Sequence, residues 1–248
     1  MRWSDEGIVL AARRHGERGL LVHLLTREHG RHAGLVRGGQ GPKLRGIYQT
    51  GNRVAVSWSA RLSEHLGTHT GELLRGHAAR FLDDRTRLAC LASAAALAEL
   101  TLPEREPHPR VHAGLIALLD ALDVDSGYAG IYARWELDLL ADLGYGLDLS
   151  RCAATGSRDL LTYVSPKSGQ AVSEGAAAPY REKLLRLPRF LLAPESPSPP
   201  EDVLDALKLT GFFLDRRALH PHQRKLPAAR GRFVDAMRRK AALSSAPR

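Results

Sequence analysis

The residues best suited to do chemistry in this chain are cations. Thr26 to Thr50 reads TREHGRHAGLVRGGQGPKLRGIYQT and holds Arg27, Arg31, Arg37, Lys43 and Arg45 against one acid, Glu28. Guanidinium and ammonium groups beside free backbone N–H groups suit a polyanion such as a nucleic-acid backbone. Arg13, Arg14, Arg18 and Arg53 flank the stretch and are secondary candidates for the same task. The plainer alternative is a solvated basic segment with no partner.

Other chemistries lack their residues. The chain has no Gly-x-Gly-x-x-Gly, no Walker loop, no His-Glu-x-x-His and no Gly-x-Ser-x-Gly. Gly38-Gly-Gln-Gly-Pro-Lys43 matches a phosphate loop in composition only, because the Gly-Lys-Ser/Thr ending and an obvious following helix are missing. The histidine pairs His65/His69, His108/His112 and His220/His222 lack the further Asp, Glu or Cys that a metal site needs, so they are expected at the surface. Cys152 stands alone: a zinc ribbon would want a thiolate at 155, where Thr155 stands, and a second pair near Val172-Ser-Glu-Gly175. No metal and no other cofactor is expected, and no enzymatic activity. Trp58 could stack a base, although a barrel-core position suits it better.

The elements that must position these cations are short strands. Residues 5–14, Leu20–Thr26 and His32–Gly38 read as three strands with turns between them. The third empties into Arg37–Lys43, too rich in Gly and Pro for regular structure and expected as a mobile loop. In Asn52–Ser59, Val54, Val56 and Trp58 fall on one face by period two, which predicts a half-buried strand. Leu62–Ala79 reads as a fifth strand. Five strands in about 80 residues fit an OB-fold barrel, which binds oligonucleotides.

Composition then turns helical. Helices are expected over 83–102, stopped by Pro103, over Arg110–Leu122, and over Ile131–Leu143, ended by Gly144. A hairpin at 160–172 interrupts them within a segment at about 145–175. Pro179–Leu187 reads as a short helix, Pro194–Pro200 as an extended linker, Glu201–Leu219 as a long helix, Pro221–Arg230 as extended and Arg232–Lys240 as a last helix. The fold class is therefore α+β. Residues 1–80 form the barrel domain, 81–240 a helical domain with the inserted hairpin, and 241–248 a disordered tail.

Net charge supports an acidic partner. The 248 residues carry +9, and residues 1–80 hold 13 Arg/Lys against 6 Asp/Glu. The cationic task therefore belongs to the N-terminal third. Two cysteines suit a reducing compartment. With no signal peptide and nothing near the roughly 18 apolar residues of a membrane span, a cytoplasmic protein is expected.

In order and spacing, several motifs resemble the RecO recombination mediators of bacteria. They are Gly7-Ile-Val-Leu10, His15-Gly-Glu17, Leu25-Thr-Arg-Glu-His-Gly30, Gly34-Leu-Val-Arg-Gly38, Leu44-Arg-Gly46, and Arg134 to Leu149 followed by Cys152. The resemblance runs from residue 5 to about 240. It implies an N-terminal OB-fold and a helical domain with an inserted zinc ribbon. Because only Cys152 remains here, that ribbon would be degenerate and held by hairpin pairing. It also implies binding to single- and double-stranded DNA, annealing of complementary strands and partnership with RecR. The same resemblance implies action on strands coated by single-stranded-DNA-binding protein, help in loading RecA, and a nucleoid-associated place in the cytoplasm. Finally, it implies that the helical domain receives the acidic, hydrophobic C-terminal tail of the coating protein. Arg134 would pair the tail's carboxylate, with Leu137 and Leu140 lining a pocket; the alternative is that all three are ordinary bundle residues. A generic OB module for RNA or an anionic surface is the other reading of the charge.

Overall fold

The computed structural model describes residues 1–124 and 127–244. They divide into two compact units, one comprising Met1–Val124 with Pro227–Arg230 and the other the described remainder.

The first unit is built on a closed five-stranded barrel with neighbours in the order β1-β2-β3-β5-β4. Its strands are β1 (Arg2–His15), β2 (Gly19–Thr26), β3 (Gly30–Val36), β4 (Arg53–Ser59) and β5 (Thr68–Arg75). This is the Greek-key barrel of an OB-fold. The long β1 serves two partners: Arg2–Ile8 pair with β4 and Gly7–His15 with β2. An irregularity between Val9 and Ala11 lets the strand bend from one to the other. Alternation places Leu20, Val22 and Leu24 of β2 and Val54, Val56 and Trp58 of β4 inside.

Closure is the delicate step, because β3 meets β5 in parallel at one registered pair, Leu35 with Thr68. Gly34 makes the approach possible. A Cβ there would stand 2.7 Å from the His69 ring. His69 is therefore core and not surface, and both its ring nitrogens are buried without a partner. Burial pushes its pKa down to about 3, and neighbouring His32 is pushed down to about 4 by the same cause. His108 and His112 are buried as well, contrary to their expected surface places, whereas His65, His220 and His222 are exposed.

Between β3 and β4 lies a helix that the Gly/Pro composition concealed, α1 (Pro42–Ile47). Pro42 sits in its first turn, where a missing N–H costs nothing. Tyr48 follows and plugs the barrel core, its hydroxyl pushed up to about 12 by burial. Asn52 fastens this corner: its side-chain nitrogen donates to the carbonyls of Gly46 and Ile47 at 3.0 and 3.1 Å, and its oxygen accepts from the His77 N–H. The fifth strand starts at Thr68, six residues later than the sequence suggests. The segment before it is a loop held in part by Trp58 Nε1 donating to the Leu66 carbonyl at 2.9 Å. Two helices complete the unit, α2 (Arg85–Thr101) and α3 (Pro109–Val124). Asp84 caps α2 by accepting from the N–H groups of Thr86 and Arg87.

In the second unit, α4 (Tyr128–Asp142) ends as the sequence predicts, with Gly144 at φ +82. Its N–H donates to Ala141 and that of Tyr145 to Leu140, a Schellman cap. The expected hairpin is β6 (Leu161–Val164) with β7 (Ala171–Ser173), followed by the short α5 (Glu174–Ala177). Pro179–Leu187 is not a regular helix. A 3₁₀ segment, Ala178–Lys183, leads to β8 (Leu185–Arg186), which pairs with β6. Next, α6 (Pro200–Phe213) passes into a π-helical stretch, Leu214–Leu219, and a 3₁₀ turn at Pro221. Buried Glu136 of α4 accepts from Tyr132 Oη at 2.7 Å and from Thr210 Oγ1 of α6 at 2.5 Å. The last helix, α7, is longer than expected (Ala228–Ser244), so the tail is helical through Ser244. The rest of the expected disordered tail, residues 245–248, lies outside the described residues.

Two outcomes test the closure. Gly34→Ala should lower stability by about 2–3 kcal/mol through overpacking against His69, read as a lower midpoint in urea. His69 and His32 have folded pKa values below the ordinary 6.5. The unfolded chain therefore takes up protons first as pH falls, and stability should drop from about pH 6.5 toward pH 4. Thermal melts across that range should show a shallower fall for His69→Phe than for the parent chain.

Candidate nucleic-acid interface

The strand registers distribute the nine candidate cations over two ends of the barrel. Leu20 pairs with Arg14 on one side and with Val36 on the other. Arg14, Arg18 in the β1–β2 turn, and Arg37 after β3 therefore share one end. Gln40 draws the Gly-rich segment to the same place. Its side-chain nitrogen donates to the carbonyls of Gly16 and Gly19, both at 3.1 Å, and its backbone N–H donates to that of Arg18 at 3.1 Å. The segment is thus pinned to the neighbouring hairpin and is not a free loop. It presents Lys43 and Arg45 from α1, with Arg45 also lining a cavity of about 390 Å³ beside Ala12, Tyr48 and Leu91.

Arg27 and Arg31 lie at the other end, next to the β2–β3 turn. Six residue steps along β2 separate the two ends, about 20 Å at the rise of a strand.

Charge partners divide the candidates further. Arg31 is built into the fold: its Nε donates to the Leu102 carbonyl at 2.7 Å and its Nη1 to Glu104 at 3.2 Å. Its own carbonyl accepts from the Arg105 N–H at 2.8 Å. Arg13 clamps Glu99 of α2 with two bonds of 2.5 and 2.9 Å. Arg53 grips Glu6, and Arg27 lies 3.3 Å from Glu28 with both side chains largely in solvent. Among the described residues, Arg14, Arg18, Arg37, Lys43 and Arg45 are exposed and have no acidic partner. Of the nine candidates, these five, gathered at one end, are the ones free to meet an anion.

Trp58 is only 2 % exposed, so the barrel-core reading holds and its ring face is not open to a base. In the second unit, Arg134 donates to the carbonyl of Pro194 at 3.0 Å, and Leu137 is half-buried. Leu140 is fully buried, as an ordinary bundle residue would be. Cys152 Sγ accepts from the N–H and hydroxyl of Ser173 at 3.3 and 3.4 Å. Hydroxyl groups stand where a zinc ribbon would need thiolates, so the donor set does not fit zinc. No cluster of three or more His, Cys, Asp or Glu converges among the described residues.

The acids that occupy Arg13, Arg31 and Arg53 lie far away in sequence, at Glu99, Glu104 and Glu6. A charge count along the chain therefore missed the pairing, and only strand alternation hinted that Arg13 and Arg14 face opposite ways.

Comparison with known proteins gives a consistent result. The family model described as Recombination protein O N terminal matches residues 1–77, and Recombination protein O C terminal matches residues 82–226. A protein of Rhodospirillum rubrum named DNA repair protein RecO is 53% identical over 246 residues, covering 96% of this chain and 97% of the relative. Its namesake in Rhodospirillum centenum is 52% identical over 241 residues, covering 96% of each. One from Methylobacterium nodulans is 48% identical over 239 residues, covering 94% and 97%. Among the described residues, no helix is long and apolar enough to cross a membrane.

The two classes of cation should separate in a stability measurement. Arg31→Ala strips a hydrogen bond from the Leu102 carbonyl and should cost about 1–3 kcal/mol. Arg37→Ala should leave the urea midpoint unchanged within error.

Proposed function

The chain belongs to the RecO family, and on that footing we propose that it is a DNA-binding recombination mediator in DNA repair. It binds single- and double-stranded DNA, anneals complementary strands, and helps load RecA onto strands coated by single-stranded-DNA-binding protein. RecR and the coating protein's C-terminal tail are its protein partners, with Arg134 and Leu137 on α4 as the tail's contacts. The role needs no catalytic group and no cofactor.

One observation carries the DNA-binding part: five exposed cations without acidic partners share one end of an OB barrel. Exposed guanidinium and ammonium groups gain affinity by releasing counterions from phosphates, a gain that does not depend on sequence. Neutralised strands repel each other less. Contacts that ignore base identity let two strands slide until they find register. Annealing then follows from charge neutralisation without a chemical step. Arg13 and Arg53 contribute little to this, because a phosphate would have to displace the carboxylates of Glu99 and Glu6. Arg27 and Arg31 are secondary for their distance from the cluster and, in Arg31, for its structural bonds.

Salt titration of DNA binding tests the assignment. Replacing Arg37 and Lys43 by Ala together should reduce the slope of log affinity against log salt by about 1–2 units. The Arg13→Ala/Arg53→Ala pair should leave the slope nearly unchanged. The opposite pattern would move the phosphate path to the strand faces. RNA and anionic vesicles run in parallel should bind more weakly than DNA; tighter binding to either would favour the generic anionic-surface module.

A further inference from the structure

At the end of the barrel away from the five free cations lies an open cavity of about 540 Å³. Trp3, His29, His32 and Trp58 supply its aromatic lining, and Arg2, Glu28 and Arg105 its charged groups. Nothing in the charge-based account uses it.

The cavity's rings are arranged in near-parallel planes. Trp3 stacks on His29 with centroids 4.1 Å apart and planes 9° from parallel. Trp3 and Trp58, a cross-strand pair of β1 and β4, are 5.7 Å apart and 20° from parallel. His32 meets Trp3 and Trp58 edge-on, both at 4.9 Å. The three near-parallel rings grade from buried to open: Trp58 is sealed in, Trp3 is half-buried, and His29 keeps about a third of its side chain in solvent, at 34%.

The outer ring is held in place. His29 Nδ1 lies 3.2 Å from Asp5 Oδ2, which also accepts the Glu28 N–H at 2.8 Å. Thr26 Oγ1 accepts the His29 N–H at 3.2 Å. The stack is thus set before any ligand arrives, which lowers the entropy that binding must offset.

Polar groups at the rim narrow the ligand. Arg105 takes a left-handed backbone conformation, φ +63, and its guanidinium donates to the carbonyls of Ser63, Glu64 and His65 at 2.5, 3.2 and 3.0 Å. Its charge stays at the cavity wall, and Arg2 adds an exposed second one. The Glu28 carboxylate is an acceptor for an exocyclic amine or ring N–H. An uncharged aromatic would leave the cations unused, and a bare phosphate would leave the rings unused. A nucleotide uses both.

From this, we propose that the cavity of Trp3, His29, Arg2 and Arg105 receives one unpaired nucleobase of a bound DNA strand. The base continues the ring stack, and its flanking phosphate faces Arg2 and Arg105. The inference rests on the DNA-binding reading and adds a base-dependent contact to it. A base within a duplex has both faces covered by its neighbours, so only an unpaired one can enter. The cavity therefore favours single strands, while the five distant cations accept either form.

The test uses the full chain with two labelled 12-mers, oligo(dT) and an all-abasic deoxyribose-phosphate chain of the same length. Stacking of one base predicts that the parent protein binds oligo(dT) about tenfold more tightly. His29→Ala and Trp3→Leu should bring the ratio close to one without weakening the abasic chain. Thermal melts identify any variant that fails to fold, and His29→Ala, altering a partly exposed ring, decides alone if Trp3→Leu does. Equal affinity of the parent for both oligomers, or an unchanged ratio in folded His29→Ala, overturns the proposal. If neither oligomer binds, the DNA-binding reading fails instead. Competition by equimolar thymidine 5′-monophosphate would assign the cavity to free nucleotides and overturn the strand assignment.

Discussion

The contact on which the barrel depends is the seat of the His69 ring against Gly34. Four of the five neighbouring strand pairs are joined by antiparallel ladders of seven or eight residue pairs. The fifth, between β3 and β5, has a single registered pair, with Leu35 donating to the Gly67 carbonyl at 3.0 Å. Backbone hydrogen bonds alone therefore do little to close the cylinder, and side-chain packing must do the rest. The missing Cβ at Gly34 admits an imidazole too large for any other residue at that position. The ring is kept neutral by its surroundings, so closure brings no buried charge. Gly67, at φ +66, lets the chain turn tightly beneath Trp58 and enter β5.

Once closed, the barrel has two ends with different chemistry. One presents exposed cations that have no acidic partner. The other presents aromatic rings already in contact with one another and cations bound to carbonyl groups. Long-range charge attraction is suited to a backbone that repeats without variation, and stacking to a base that must first leave its partner. The two ends lie about 20 Å apart along β2, so neither set of side chains touches the other.

How much could be read beforehand depended on whether the signal was local. Val54, Val56 and Trp58 alternate, and the strand they announce is there. Gly144 marks a helix end by chemistry confined to a few residues, and that end falls where expected, whereas the helix expected from residue 83 begins at Arg85 behind the Asp84 cap. The RecO-like motifs were legible for the same reason. By contrast, α1 has six residues, too few for a periodic pattern, and is held by Gln40, Asn52 and Tyr48 more than by its own propensity. The histidines misled because an imidazole reads as polar in sequence, whereas Gly34 on the neighbouring strand decides that His69 is buried. Charge misled in the same way: Arg13 and Arg14 are neighbours, yet only Arg13 faces Glu99. The aromatic cavity needed the pairing of Trp3 with Trp58, a register between strands 55 residues apart that no single-strand pattern contains.

The clamp of Arg105 has a bearing on what the loop before β5 can tolerate. All three of its bonds end on main-chain oxygens, at Ser63, Glu64 and His65, whose own side chains are exposed. Every residue type carries that oxygen. Changing the side chains at these three positions therefore leaves the clamp's acceptors in place, whereas changing the number of residues between Ser59 and Thr68 does not. An insertion or deletion would carry the carbonyls out of reach of one guanidinium while leaving the composition almost the same.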